Sequence, residues 1–162
     1  MASICKSSFY HIRNIARIRR FLSEESTKAL VHAFVTCRLD NSNSLLYGLP
    51  KNQIEKLQRV QNRAARLVVN ARQHDHITPV LRDLHWLPVE QRIVFKILLF
   101  TYKAVSGLAP SYLSDLVKIY APERNLRSSS QKFLSVPFSK TKLYGDRAFS
   151  ICSPKLWNDL PL

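Results

Sequence analysis

Hydrophobic residues recur through most of this chain at intervals of three and four, the period of helices with one buried side. The sharpest case is residues 56–70, KLQRVQNRAARLVVN. At about 100° per residue, Leu57, Val60, Ala64, Leu67 and Val68 share one face. Lys56, Arg59, Arg63, Arg66 and Asn70 share a neighbouring face with no acid among them. One side of such a helix can rest on a core while the other meets a polyanion. The plainer alternative is a solvated charged surface. The helix is expected over residues 52–72, with Lys51 or Asn52 in its cap region.

The same period organises the flanking segments. In residues 1–23, Arg13, Arg17 and Arg20 fall on one helical face, and Ile12, Ile15 and Leu22 on another. Ser23 before Glu24 and Glu25 reads as an N-cap with first-turn acids, opening a helix to about Arg38. Ala29, Leu30, Ala33, Phe34 and Cys37 are its expected buried residues. Residues 40–44 (DNSNS) form a turn, and residues 45–47 resume briefly before Gly48 and Pro50 end the segment. After a connection at 73–77, Thr78 as cap and Pro79 as first residue predict a short helix with Leu81 and Leu84 inward, stopping before Pro88.

Residues 89–106 predict the strongest core helix, with Ile93, Ile97, Leu98, Phe100 and Thr101 buried and Gly107 at its end. Arg92, Lys96 and Lys103 occupy its other face. Pro110 opens a short helix through Tyr112, Leu113 and Leu116. The pattern then loosens. Residues 120–131 are irregular, with Arg124, Arg127 and serines at 128–130; residues 133–138 read as an extended piece and 144–151 as a last helix. Trp86 and Trp157 suit core or hinge anchors better than base-stacking platforms. The predicted class is all-α, an irregular helical bundle of about five to seven helices with a loop-rich C-terminal third. Only 3 glycines leave little material for tight β-turns or a phosphate-cradling loop.

Composition changes this picture chiefly through charge. The 162 residues are 46% hydrophobic and 22% charged, as in a folded domain or two small helical subdomains. Lys and Arg number 25 against 11 acids, a net charge of +14. The excess is spread: residues 1–75 hold 13 bases and 5 acids, residues 76–162 hold 12 and 6. Such a balance favours nucleic acid, or less often an anionic membrane surface; a basic scaffold protein is the alternative. The acid-free residues 1–23 also overlap with a mitochondrial transit peptide, against the reading as an ordinary basic helix of the domain.

Candidate chemistry is sparse. Cys5, Cys37 and Cys152 are far apart and odd in number, so they read as reduced thiols of an intracellular protein, nuclear or cytoplasmic. The longest apolar run, residues 97–100, is far short of a membrane span. His74 and His76 flank Asp75, but no third and fourth metal ligand stand near them, so no metal or cofactor is expected. There is no P-loop, no G-x-G-x-x-G, no G-x-S-x-G and no H-E-x-x-H. A polymerase needs clustered carboxylates for two metal ions. The adjacent acids Glu24 and Glu25 sit at a helix start where capping explains them. No catalytic residue is assigned, and an autonomous enzyme is not expected.

Five ordered segments nevertheless carry a resemblance. They are NSLLYGLP at 43–50, LQRVQNRAARLV at 57–68, HITPVLRDLHWLPVEQRI at 76–93, FKILLFTYKAVSGLAPSYLSDL at 95–116 and YGDRAFSICSPKLWNDLP at 144–161. Together they resemble the C-terminal part of the reverse transcriptase of LINE-type (non-LTR) retrotransposons, of the Jockey-like and related groups. SFYHIRNIARIRRFLSEE, from Ser8, looks like that family's stretch after the polymerase palm, which favours the domain helix over the transit peptide. The resemblance implies a thumb-like subdomain at 1–75 and a helical C-terminal subdomain at 76–162, irregular after 118. It implies a non-catalytic fragment, lacking palm, fingers and endonuclease, that contacts the backbone of an RNA or DNA template–primer. The candidate contacts are Lys56, Arg59, Arg63, Arg66 and Asn70, with Arg13, Arg17 and Arg20. The alternative is a residual or co-opted helical module that binds protein, or itself, through exposed apolar surface; an inert relic is a third reading. Where the family commonly reads DYCNSLLYGLP, this chain has Asn41 and Ser42 in place of the aromatic and the cysteine.

Overall fold

The computed structural model describes residues 1–121, 133–141 and 144–161. Among these the regular structure is helical, apart from one isolated antiparallel bridge between Ile119 and Leu134. Helices α1 (Ala2–Ile18), α2 (Glu24–Val31), α3 (Cys37–Asp40), α4 (Lys51–Val69), α5 (Ile77–Asp83), α6 (Val89–Val105), α7 (Ser111–Ser114) and α8 (Phe149–Asn158) follow in chain order. The fold is all-α. The chain divides into two compact units, Met1–Arg92 and Ile93–Leu162. The connection at 73–77 and α5 therefore belong to the first unit, whereas the sequence-based division falls earlier, after residue 75.

In the first unit, α1, α2, α5 and the segment after α2 all rest on α4. Leu57, Val60, Ala64 and Val68 of α4 are fully or almost fully buried, as their spacing predicts. Ala65 and Gln61 join them, while Leu67 is only half-buried. From α1, Ile12 and Ile15 enter the core together with Ser8. Ser23 caps α2 as expected, its hydroxyl accepting from the Ser26 N–H at 3.1 Å.

The buried side of α2 is not the expected one. Thr27, Val31, Val35, Thr36 and Leu39 are buried, whereas Ala29, Ala33, Phe34 and Cys37 are exposed and Leu30 is half-buried. Phe34 stays 43% exposed. Two apolar stripes compete for the core here, and two local features decide between them. The first is a π turn at His32–Thr36 joining α2 to α3, where the Cys37 N–H reaches back to the His32 carbonyl. In an unbroken α-helix, residues 27 and 39 would lie about 120° apart. A π turn, with its wider i to i+5 closure, holds the every-fourth-residue series Thr27, Val31, Val35, Leu39 in phase with the core. The second is Thr27, whose hydroxyl donates to the Ser23 carbonyl at 2.8 Å and so can be buried without an unpaired donor.

Several ends shift from their expected places. α4 begins at Lys51 and stops at Val69, because Asn70 turns to φ 54°. Both Asn70 and Ala71 then donate to the Arg66 carbonyl. Asparagine tolerates this left-handed geometry, so the helix ends short of the expected residue 72. The cap of α5 is His76, not Thr78, although Leu81 and Leu84 are buried as predicted. Ser42 also adopts positive φ, and both Asn41 and Ser42 are exposed, so neither contributes to the core.

In the second unit, Ile93, Ile97, Thr101 and Ala104 of α6 are buried, while Leu98 and Phe100 are half-buried. The Thr101 hydroxyl is satisfied by the Ile97 carbonyl at 2.8 Å. Gly107 ends this helix at φ 69°. Residues 133–138 contribute the bridge partner Leu134, which is buried and gripped from both sides by the Asn158 amide at 2.9 Å. The last helix starts later than expected, at Phe149, and runs through Pro154 to Asn158. Pro154 and its neighbours Ile151, Cys152 and Ser153 are buried, and Trp157 is half-buried. Cys152 is buried, and that burial pushes its thiol up from its ordinary pKa. Arg124, Arg127 and the serines at 128–130 lie outside the described residues.

The exchanged stripes give a stability prediction. Val35→Ala should cost about 1–3 kcal/mol, and Leu57→Ala about 2–5 kcal/mol, through lost burial and cavity formation. Phe34→Ala should cost clearly less than either. Urea unfolding of the three variants checks the order; equal losses for Phe34 and Leu57 would contradict it.

Candidate nucleic-acid interface

The candidate cations on α4 depend on how that helix divides its circumference. The first sector is the buried apolar face. The second is an amide row. Gln58 accepts the Val89 N–H at 2.8 Å, and Gln61 donates to the Leu87 carbonyl at 2.8 Å. The Gln58 amide nitrogen also donates to Gln61 and to Asn62, at 2.9 and 2.7 Å. This row satisfies the first N–H of α6 and fixes the loop ahead of it. Arg92, expected on the open face of α6, instead pairs with Asp40 at 3.2 Å.

The third sector is cationic. Lys56, Arg59 and Arg63 are exposed, and Arg66 is half-buried. Among the described residues, no carboxylate lies within 4.0 Å of any of them, nor of Arg13. Like charges three and four residues apart on a helix repel by about 0.2–0.5 kcal/mol per pair. An anion bound along the row relieves that repulsion.

The row borders a seam between α1 and α4, where three shallow depressions follow one another. The first is lined by Cys5, Phe9, Lys56 and Arg59, and the second by Phe9, Arg59, Asn62, Arg63 and Arg66. The third is lined by Arg13, Arg63, Arg66 and Asn70. Neighbouring depressions share lining residues, Phe9 and Arg59 between the first two and Arg63 and Arg66 between the last two, so they form a chain of depressions, the α1–α4 groove. Six of the eight candidate contacts, Arg13, Lys56, Arg59, Arg63, Arg66 and Asn70, therefore lie along it. Asn70 does so as the turned residue ending α4, not as part of its helical face.

Arg17 and Arg20 do not line the groove. α1 ends at Ile18, and a 3-10 turn at Arg19–Phe21 breaks the face that Arg13, Arg17 and Arg20 share by spacing. The Arg20 guanidinium lies over the Phe21 ring, 4.6 Å from its centre. Arg66 also has a structural role. Its Nη2 donates to the Asp75 carbonyl at 3.1 Å, while the Asp75 carboxylate accepts the Arg72 N–H at 2.6 Å. The acid between the two histidines thus holds the connection after α4.

Two residues of this region escape sequence reasoning. By spacing and composition Arg19 is one more base. In the fold its Nε and Nη2 donate to the carbonyls of Leu67 and Val68 at 3.0 and 2.9 Å, and Nη1 to Leu22 at 2.8 Å. It caps the C-terminus of α4, where a cation also complements the helix dipole. Nothing in a run of four arginines marks which one folds inward. The other is Phe9, which is half-buried between the cations.

Among the described residues no cluster of three or more His, Cys, Asp or Glu suits a metal ion, and no helix is long and apolar enough to cross a membrane. Arg19→Ala should lower stability by about 1–2 kcal/mol by uncapping α4, whereas Arg17→Ala should stay within about 0.5 kcal/mol. Thermal unfolding distinguishes them. No family model, curated protein or solved structure matches this chain.

Proposed function

We propose that the chain is the thumb and C-terminal region of a LINE-type reverse transcriptase, a non-catalytic part that holds the template–primer by its phosphates. The observation that carries this reading is the acid-free row Lys56, Arg59, Arg63 along the α1–α4 groove. The five ordered segments of family resemblance supply the class of polymer. Phosphate contacts position a nucleic acid without reading its sequence, so binding is expected to be sequence-independent. Each cation that meets a duplex phosphate releases counterions and adds about −0.9 to the slope of log K against log salt.

Replacing Lys56, Arg59 and Arg63 together by alanine should flatten that slope by about 2.7 and weaken duplex binding. Arg66 is left in place because it also holds the Asp75 connection. Fluorescence anisotropy with an RNA–DNA hybrid over a salt series measures both quantities. Unchanged affinity and slope in a folded triple variant would remove the row from the interface.

A second reading is favoured by the exposed side of α2 and the π turn. Ala29, Ala33, Phe34 and Cys37 leave apolar surface uncovered, with Phe34 stacked on His11 at 5.2 Å between ring centres. Such a surface suits a protein partner or a second copy of the chain. On this reading the wild type self-associates with rising concentration, and Phe34→Asp shifts it to monomer in sedimentation velocity. A protein monomeric at high concentration argues against it.

A further inference from the structure

We propose that the α1–α4 groove takes a single nucleic-acid strand, with Phe9 as a platform on which one base stacks. This rests on the phosphate-holding reading above and adds to it a contact with the bases of an unpaired strand.

The first support is the place of the aromatic. Phe9 lines both the depression with Lys56 and Arg59 and the one with Arg59, Arg63 and Arg66. It is half-buried, neither sealed in the core nor fully exposed. Among the described residues no other ring stacks on it, unlike His11, which stacks on Phe34 and meets Tyr10 edge-on. Aromatic rings set among cations are the usual means of binding unpaired strands, because every base offers a face to stack on.

The second support is the chemistry of an unpaired strand. A duplex presents phosphates only, its base faces closed by their own stacking, so the ring of Phe9 has a use only for unpaired bases.

The third support is the small residues beside Phe9. Ala2 and Cys5, which precede it on α1 by about two turns and one turn, line the same depression. Their short side chains leave room for a base over the ring, while Lys56 and Arg59 on α4 meet the flanking phosphates. Further along, Arg13 and Arg63 face the groove from opposite helices, so the strand is held from both sides.

The test compares a dT20 oligonucleotide, an abasic oligonucleotide of equal length and a 20-base-pair duplex, each titrated by anisotropy against the full chain. For the wild type, dT20 should bind more tightly than the abasic strand. Phe9→Ala should weaken dT20 about 5- to 150-fold. It should leave the salt slope and the abasic affinity unchanged, since no phosphate contact is lost. Phe9→Trp should retain dT20 binding, and this variant decides the matter if the alanine variant fails to fold. Equal binding of dT20 and the abasic strand, or a folded Phe9→Ala with unchanged dT20 affinity, overturns the stacking role while leaving phosphate holding intact. Absence of salt-sensitive binding to all three ligands overturns both.

Discussion

A helix has only one circumference, and the first unit depends on how α4 shares its own. One sector, Leu57, Val60, Ala64, Ala65 and Val68, is the floor on which α1, α2 and α5 rest. The next, Gln58 and Gln61, holds the entry to α6 by its amides. The remainder is left to lysine and arginine. Apolar burial stabilises the arrangement, and the amide row removes the cost of otherwise unpaired backbone groups. The cations contribute nothing comparable; their mutual repulsion opposes the fold only weakly, and the apolar sector outweighs it.

The ends of α4 show the same division of roles. Asn70 turns left-handed and stops the helix, and Arg19 swings from the end of α1 to cover its last carbonyls. One base out of a basic run is thereby used to tie two helices together. The same contact joins the turn after α1 to the last turn of α4, next to the depression that Arg13, Arg63 and Asn70 line.

The function proposed for this scaffold rests on its surface. On that proposal the cation row, the ring of Phe9 and the opposing Arg13 would supply charge, stacking and a second wall for a flexible polyanion. The uncovered stripe around Phe34 lies on other elements and offers a separate, apolar kind of contact. The two are independent in chemistry, one screened by salt and the other strengthened by it.

The sequence by itself determined that this chain is all-α and basic. Period and capping residues located most of the helices, and the buried and cationic faces of α4 could be read directly. Those features are local, written in neighbours three and four residues apart. Three others were decided only by the tertiary structure. The choice between two apolar stripes on α2 turned on a π turn and on which stripe met α4. The inward turn of Arg19 turned on the nearness of carbonyls 48 and 49 positions away. The joining of Arg13 and Phe9 to the row on α4 turned on how α1 lies across it. Local periodicity says which face a residue shares with its neighbours; what that face meets is set by packing between distant segments, which no local pattern encodes.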